Sequence, residues 1–217
     1  GRNLLLNMAD HGFSVAGLDT DQSKVDLLHS EGEGKQVKGF TDAMSFVNAI
    51  RKPRPIMILV PAGAPVDVVV ASLTPFIDEG DLFIDGGNSF FKDTERRFND
   101  LAAKKIGFIG IGVSGGESGA RHGPSMMAGG SPESYARIKD ILEAVAARAD
   151  GEACVKLLGN GAAGHYVKMV HNGIEYGVMQ LIAESYDLLH RGAGWGNQQI
   201  AELFASWGKL DFGGFLT

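Results

Sequence analysis

The stretch Leu82-Phe83-Ile84-Asp85-Gly86-Gly87-Asn88-Ser89 decides the fold. A short, unbroken apolar run empties into an acid, two glycines and an asparagine. Such a run, bounded by turn residues, reads as a strand buried on both faces. Outward from it, Ser14 to Leu18, Ile56-Met57-Ile58-Leu59-Val60 and Ile106 to Val113 have the same character. Helical patterns lie between them, at Arg2 to His11, Ser23 to Glu31, Asp42 to Arg51, Pro65 to Ile77 and Asp93 to Lys104. Strands alternating with helices predict an α/β fold with a Rossmann-like, doubly wound and mainly parallel sheet.

Ser131-Pro132 is a helix start, with a serine cap and proline at the first helical position, and the helix should run to about Arg148. Cys154 to Leu158 reads as a last short strand. After Gly159-Asn160-Gly161 the pattern changes. His165 to His190 reads as one long helix, mostly buried, and Gln198 to Trp207 as another. These patterns predict an α/β domain over 1–163 and the start of an all-α domain over 164–217.

The chain opens directly on a helix. A dinucleotide-binding domain begins with a strand, a glycine-rich turn and then a helix, with an acid about 20 residues further on. Gly1-Arg2-Asn3-Leu4 fits the last glycine of that turn and the helix it opens, and Asp19 stands where the acid belongs. With the earlier glycines absent the pair is a weak signal, and Asp19 could equally cap a loop. The sheet is expected to lack its first strand, which leaves neighbouring strands with unpaired edges.

Composition excludes several classes. Hydrophobic residues make up 44% and charged residues 21%, the balance of a folded globular chain. A net charge of -6 disfavours nucleic acid, which binds basic surfaces. Arg96-Arg97 and Lys104-Lys105 read as solvated helix faces. The single cysteine, Cys154, cannot form an internal disulfide and reads as a packed thiol. No run has the length of a membrane span and no signal peptide is evident, so a cytoplasmic location is expected. His11, His29, His122 and His190 show no metal-ligand spacing, so no metal is expected.

Three segments carry chemistry. Asp85-Gly86-Gly87-Asn88 ends a strand, where ligands of open α/β sheets bind, and Asn88 offers both a donor and an acceptor; a plain tight turn reads equally well. Ser114-Gly115-Gly116 follows another strand, and its hydroxyl and successive N–H groups suit a carboxylate or phosphate. Gly129-Gly130 reads only as a turn. The strongest signal is Gly164-His165-Tyr166-Val167-Lys168-Met169-Val170-His171-Asn172-Gly173-Ile174-Glu175-Tyr176. Helical spacing puts Lys168, His171, Asn172, Glu175 and Tyr176 on one polar stripe, with Val167, Val170 and Ile174 on a core side. A buried lysine titrates readily and can serve as a base.

These segments, in this order and spacing and with Gly123-Pro124-Ser125, resemble the 6-phosphogluconate dehydrogenase family along essentially the whole chain, as a portion cut short at both ends. The resemblance implies oxidative decarboxylation of 6-phosphogluconate to ribulose 5-phosphate, with hydride passing to a nicotinamide cofactor. It implies that Lys168 takes the C3 hydroxyl proton and later acts as acid, and that Glu175 protonates the enediol at C1. Asn88, Ser114, Gly115, Gly116, His171 and Asn172 would hold the sugar acid, with Tyr176 at the phosphate. The cofactor would lie against Gly1, Asp19, Thr20, Asp21, Val60, Ala62 and Asn88. A homodimer is implied for the intact protein, and these 217 residues alone are not expected to turn over substrate.

The chain departs from the family at one place. The family prefers NADP and shows Asn-Arg-Ser or similar where this chain has Asp19-Thr20-Asp21, and often a lysine where it has Pro61. An aspartate there suits a free ribose hydroxyl and repels a phosphate, so NAD is expected over NADP. Two alternatives stay open: another β-hydroxyacid dehydrogenase, such as a hydroxyisobutyrate type, and a non-catalytic nucleotide-binding protein.

Overall fold

The computed structural model describes residues 1–210; the end of the expected all-α segment, 211–217, lies outside the described residues. The chain divides into two compact units, Gly1–Met169 and a second from Val170 onward.

The first unit alternates helix and strand. α1 (Arg2–Asp10) leads to β1 (Val15–Leu18), α2 (Gln22–Glu31), β2 (Val37–Phe40), α3 (Ala43–Asn48), β3 (Pro55–Ile58) and α4 (Ala64–Leu73). Next come β4 (Leu82–Asp85), α5 (Phe91–Ala102), β5 (Gly107–Ser114), α6 (Gly116–His122) and β6 (Ser125–Gly129). α7 (Pro132–Ala136), α8 (Lys139–Val145), a hairpin of β7 (Arg148–Ala149) and β8 (Glu152–Ala153), and β9 (Val155–Gly159) complete the unit, apart from the opening turns of α9 (Ala163–Asp187).

The main sheet has the order β3-β4-β5-β6-β9, parallel except for the β5–β6 pair, which is antiparallel. β1 and β2 form a separate parallel pair. Side chains alternate across the sheet as a period of two requires. Leu82, Ile84, Ile109 and Ile111 pack with Tyr135, Leu142 and Val145 in one core, while Phe83 and Phe108 join Phe46, Val47, Val66 and Leu101 in the other. The α/β fold with a mainly parallel sheet is the one the alternating runs predict.

Several details differ from the sequence reading. β2 and β6 were not expected as strands. β2 is short and mixes Lys38 and Gly39 with its two apolar residues. β6 is Ser-Met-Met-Ala-Gly, whose methionines and alanine favour helix; pairing with β5 on one side and β9 on the other makes it a strand. The helix expected from Ser131 to Arg148 breaks in two at Ile138, whose backbone leaves the helical region (φ -120°, ψ -5°) as its side chain enters the core. Cys154 is only half-buried and lies in the bend before β9 rather than within a strand.

The second unit holds most of α9, a π-helical turn at Leu188–Gly192 and α10 (Asn197–Trp207). The expectation that the long helix is mostly buried does not hold. Burial stops at Lys168, Val170 is exposed, and Ile174, placed on the core side by periodicity, is 64% exposed. The apolar stripe exists, but the partners available to it among the described residues do not cover it. No helix among the described residues is long and apolar enough to cross a membrane.

Candidate active site

The parallel strands β3, β4 and β5 end on the same edge of the sheet, and Val60, Ala62, Asn88, Ser114, Gly115 and Gly116 lie at or just beyond those ends. The loop after β4 is held from beneath by Asp85, which is 0% exposed. One of its oxygens accepts the Gly87 N–H at 3.1 Å and the other accepts the Ser89 hydroxyl at 2.7 Å. Asn88, between them, is exposed.

Arg97, 2% exposed, lies under the same edge. It donates to Asp67 at 2.8 and 3.0 Å, to the Gly63 carbonyl at 2.9 Å and, more weakly, to Asp85 at 3.5 Å. One guanidinium therefore joins the exit loop of β3, which contains Val60 and Ala62, to the exit loop of β4. Hydrogen bonds from Arg97 and Arg96 bring the Asp67 carboxyl down to about 2. Arg97 was read as a solvated helix face. Only its neighbour Arg96 is exposed. The basic pair straddles the boundary between the buried and wet sides of α5, which a short run of charge does not reveal.

β5 delivers Ser114 half-buried and then turns through Gly115 and Gly116, with φ of 119° and 62°. Gly115 in this conformation is the N-cap of α6, and a β-carbon there would lie 2.9 Å from Gly119 Cα. The segment thus opens a helix, with both glycines exposed at its start.

The first turns of α9 lie directly on the sheet. A β-carbon on Gly112 would overlap Cβ of Lys168, and one on Gly164 would overlap the Met127 carbonyl. Lys168 is 7% exposed, with its stem on β5 two residues before Ser114. His165, 1% exposed, exchanges a 2.7 Å hydrogen bond with the Thr94 hydroxyl of α5. Burial holds its imidazole pKa below the usual value, so the ring is neutral. The sequence reading assigned no role to His165, Thr94 or Arg97.

At the other expected cofactor residues, Gly1 sits at the start of α1 with no side chain capping the helix, and Asn3 donates to the Glu117 carbonyl of α6 at 3.0 Å. Asp19 follows β1, accepts the Asp21 N–H at 3.0 Å and lies 3.5 Å from the Lys24 ammonium. Asp21 caps α2 through the Ser23 N–H and hydroxyl, and Thr20 and Pro61 are exposed.

In the second unit, His171 Nδ1 lies 3.2 Å from Asn172 Oδ1 and 3.7 Å from Glu175 Oε2, so three of the stripe residues form one local group. Tyr176 is exposed.

A family model described as the NAD binding domain of 6-phosphogluconate dehydrogenase matches residues 1–159, and one for the C-terminal domain of that enzyme matches residues 164–217. This chain belongs to the 6-phosphogluconate dehydrogenase family. Decarboxylating 6-phosphogluconate dehydrogenase 1 of Saccharomyces cerevisiae is 51% identical over 97% of the chain and 44% of its own length. The decarboxylating enzyme of Chlamydia trachomatis is 48% identical over 100% of the chain and 45% of its length. Among solved structures, 6-phosphogluconate dehydrogenase of Plasmodium falciparum, described in its apo form and in complex with NADP+ and with 6-phosphogluconate, superposes with a TM-score of 0.92. It is 38% identical over 97% of the chain and 45% of that enzyme's chain. The chain thus spans less than half the length of these family members.

Proposed function

We propose that the protein carrying this chain oxidatively decarboxylates 6-phosphogluconate to ribulose 5-phosphate and CO2, reducing a nicotinamide cofactor. The observation that carries the reading is Lys168: a buried lysine, seated on β5 next to Ser114-Gly115-Gly116, on the same helix as His171, Asn172 and Glu175.

The first unit fits a nicotinamide dinucleotide. The uncapped N-terminus of α1 offers backbone N–H groups suited to a pyrophosphate, and Asp19 offers a carboxylate suited to a ribose hydroxyl. Bound there, the cofactor supplies a hydride acceptor. Lys168, neutral, removes the proton of the C3 hydroxyl as the C3 hydride leaves. The resulting β-keto acid breaks its C1–C2 bond to release CO2, and Lys168 returns its proton to the carbonyl oxygen to give the enediol. Glu175 then protonates C1 of the enediol, the former C2 of the acid, as Lys168 takes the proton of the neighbouring hydroxyl, and the ketone of the product forms. A residue that serves as base and then acid works best with a pKa near the working pH. Asn88, Ser114, Gly115, Gly116, His171 and Asn172 hold the sugar acid and Tyr176 its phosphate.

NAD is the proposed cofactor. Asp19 repels a 2′-phosphate, Thr20 and Pro61 add no positive charge, and Lys24 is engaged with Asp19 itself. A cytoplasmic homodimer is proposed for the full-length protein; the uncovered apolar side chains of Ile174, Leu181 and Leu188 support a further partner for the second unit. The deciding experiment assays the full-length protein for 6-phosphogluconate-dependent reduction of NAD and of NADP, with CO2 measured alongside. Faster reduction of NAD with equimolar CO2 is expected. Faster reduction of NADP discards the cofactor reading alone, and no reduction with either discards the reaction.

A further inference from the structure

The proposed mechanism uses Lys168 but not the buried pair beside it. His165 precedes Lys168 by about one helical turn, and its Nδ1 and the Thr94 hydroxyl are 2.7 Å apart, both side chains buried. Nε2 of the same ring is buried and makes no well-aligned hydrogen bond among the described residues, although backbone of Asp85 and Ile111 lies beside the ring. A histidine whose second nitrogen goes unpaired is a costly way to fill space, since a buried polar atom without a partner destabilises the fold. An apolar side chain of similar volume would avoid the cost. What histidine adds is a directed bond to α5, beside the polar backbone of Asp85 and Ile111.

The surroundings show what that bond can control. Beneath the start of α9 the sheet is floored by glycine. A β-carbon on Gly110 would come within 2.8 Å of both His165 Nδ1 and Thr94 Cγ2, and β-carbons on Gly112, Gly129 and Gly164 would overlap the helix or the strands directly. Backbone therefore rests on backbone, which fixes the height of the helix above the sheet. A floor without side chains leaves rotation about the helix axis to the contacts with α5: the buried Thr94–His165 bond, the edge-to-face rings of Phe91 and Tyr166 nearer the surface, and the Glu95 carboxylate that accepts the Ala162 N–H. The tip of an extended lysine lies ~8 Å from that axis, so a rotation of about 10° moves it by ~1 Å. A displacement of that size can cost on the order of a hundredfold in rate.

We propose that Thr94 and His165 are positioning residues for Lys168: their buried hydrogen bond sets the rotation of α9 on its glycine floor and so the aim of the lysine along β5. The pair ties this aim to the substrate loop as well. Thr94 and Arg97 are neighbours on α5; one holds His165, the other reaches Asp85 beneath Gly87-Asn88-Ser89. α5 is thus a common frame for Asn88 and Lys168.

This inference rests on the proposed reaction for its assay, and the test separates the two. Wild type, Thr94→Val, which keeps the shape and removes the hydroxyl, and Thr94→Ser, which keeps the hydroxyl, are made in the full-length protein. Each is assayed per folded site with 6-phosphogluconate and with 6-phosphogluconate deuterated at C3. Thr94→Val is expected to lower kcat about ten- to a hundredfold, leave KM for the cofactor within about twofold, and raise the deuterium isotope effect because the transfer step becomes slower. Thr94→Ser is expected to restore most of the rate. A Thr94→Val enzyme with the kcat and isotope effect of wild type overturns the proposal, as does a loss that only follows the unfolded fraction or that serine fails to restore. If Thr94→Val does not fold, His165→Gln is read by the same kcat and isotope criteria. If wild type oxidises a different 3-hydroxy acid, the substrate reading fails and the same comparison on that acid still decides the positioning. If it oxidises none, a crystal structure of Thr94→Val decides: α9 rotated on β5 supports the role, and Lys168 unmoved overturns it.

Discussion

At Lys168 the packing and the proposed chemistry make the same demand. Its stem lies on Gly112 because no side chain intervenes, and the residue is 7% exposed. Lys168→Met should keep the packing and lose the proton transfer. A fall in kcat of about 10²–10⁴-fold, beyond any loss of folded protein, is expected, read by paired assay and thermal melt. Asp19 gives the second test at this scale. Asp19→Asn combined with Thr20→Arg removes a negative charge and adds a positive one where the 2′-phosphate would lie. The ratio of kcat/KM for NADP over NAD should rise by about tenfold or more, since close charges near a surface interact by a few kcal/mol; an unmoved ratio would show that this corner does not set cofactor choice. The sequence singles out Lys168 and Glu175 by their place on one polar stripe and Asp19 by its distance from Gly1. Helical spacing cannot say which polar residue near a stripe turns inward, so the sequence does not mark out His165.

The elements matter through where they touch. Gly112→Ala places a β-carbon into Lys168, and Gly164→Ala places one into the Met127 carbonyl. Overpacking of this kind costs about 1–3 kcal/mol, so both variants should melt earlier, and Gly112→Ala should also lose activity beyond its loss of folded protein. Arg97→Met leaves Asp85 without its guanidinium and Asp67 with only that of the exposed Arg96. Breaking a buried ion pair from one side costs about 3–5 kcal/mol, although Gly87 and Ser89 still donate to Asp85, so the lower end is expected in a denaturant titration. The sequence announced α5 as a helix but not its service as a brace between two loops. That service depends on Arg97 meeting Gly63, Asp67 and Asp85, residues 34, 30 and 12 positions away.

Across the whole molecule, acid should loosen the brace. The folded pKa of Asp67, about 2, lies below its usual 3.8 because Arg97 and Arg96 donate to it. The stabilisation is complete above about pH 4 and is lost as pH falls through 2, since the unfolded chain then binds the proton more readily. Asp67 is partly exposed, so the contribution is screened and should shrink with added salt. An acid titration of the full-length protein followed by circular dichroism, with Asp67→Asn alongside, checks this: the variant should be less stable than wild type at neutral pH, and the difference should vanish toward pH 2.

The sequence by itself determined the α/β class, the order of the main strands and helices, the family and the polar stripe from Lys168 to Tyr176. Each is written in local periodicity or in a contiguous motif, which needs only neighbours along the chain. The tertiary structure alone decided that Ser-Met-Met-Ala-Gly is a strand, that Arg97 is buried while Arg96 is wet, and that His165 faces Thr94 across 71 positions of chain. It also decided that Ile174 stands uncovered. These outcomes depend on which distant backbone comes to lie beside each residue, and the energy of pairing or burial there outweighs any preference the local sequence expresses.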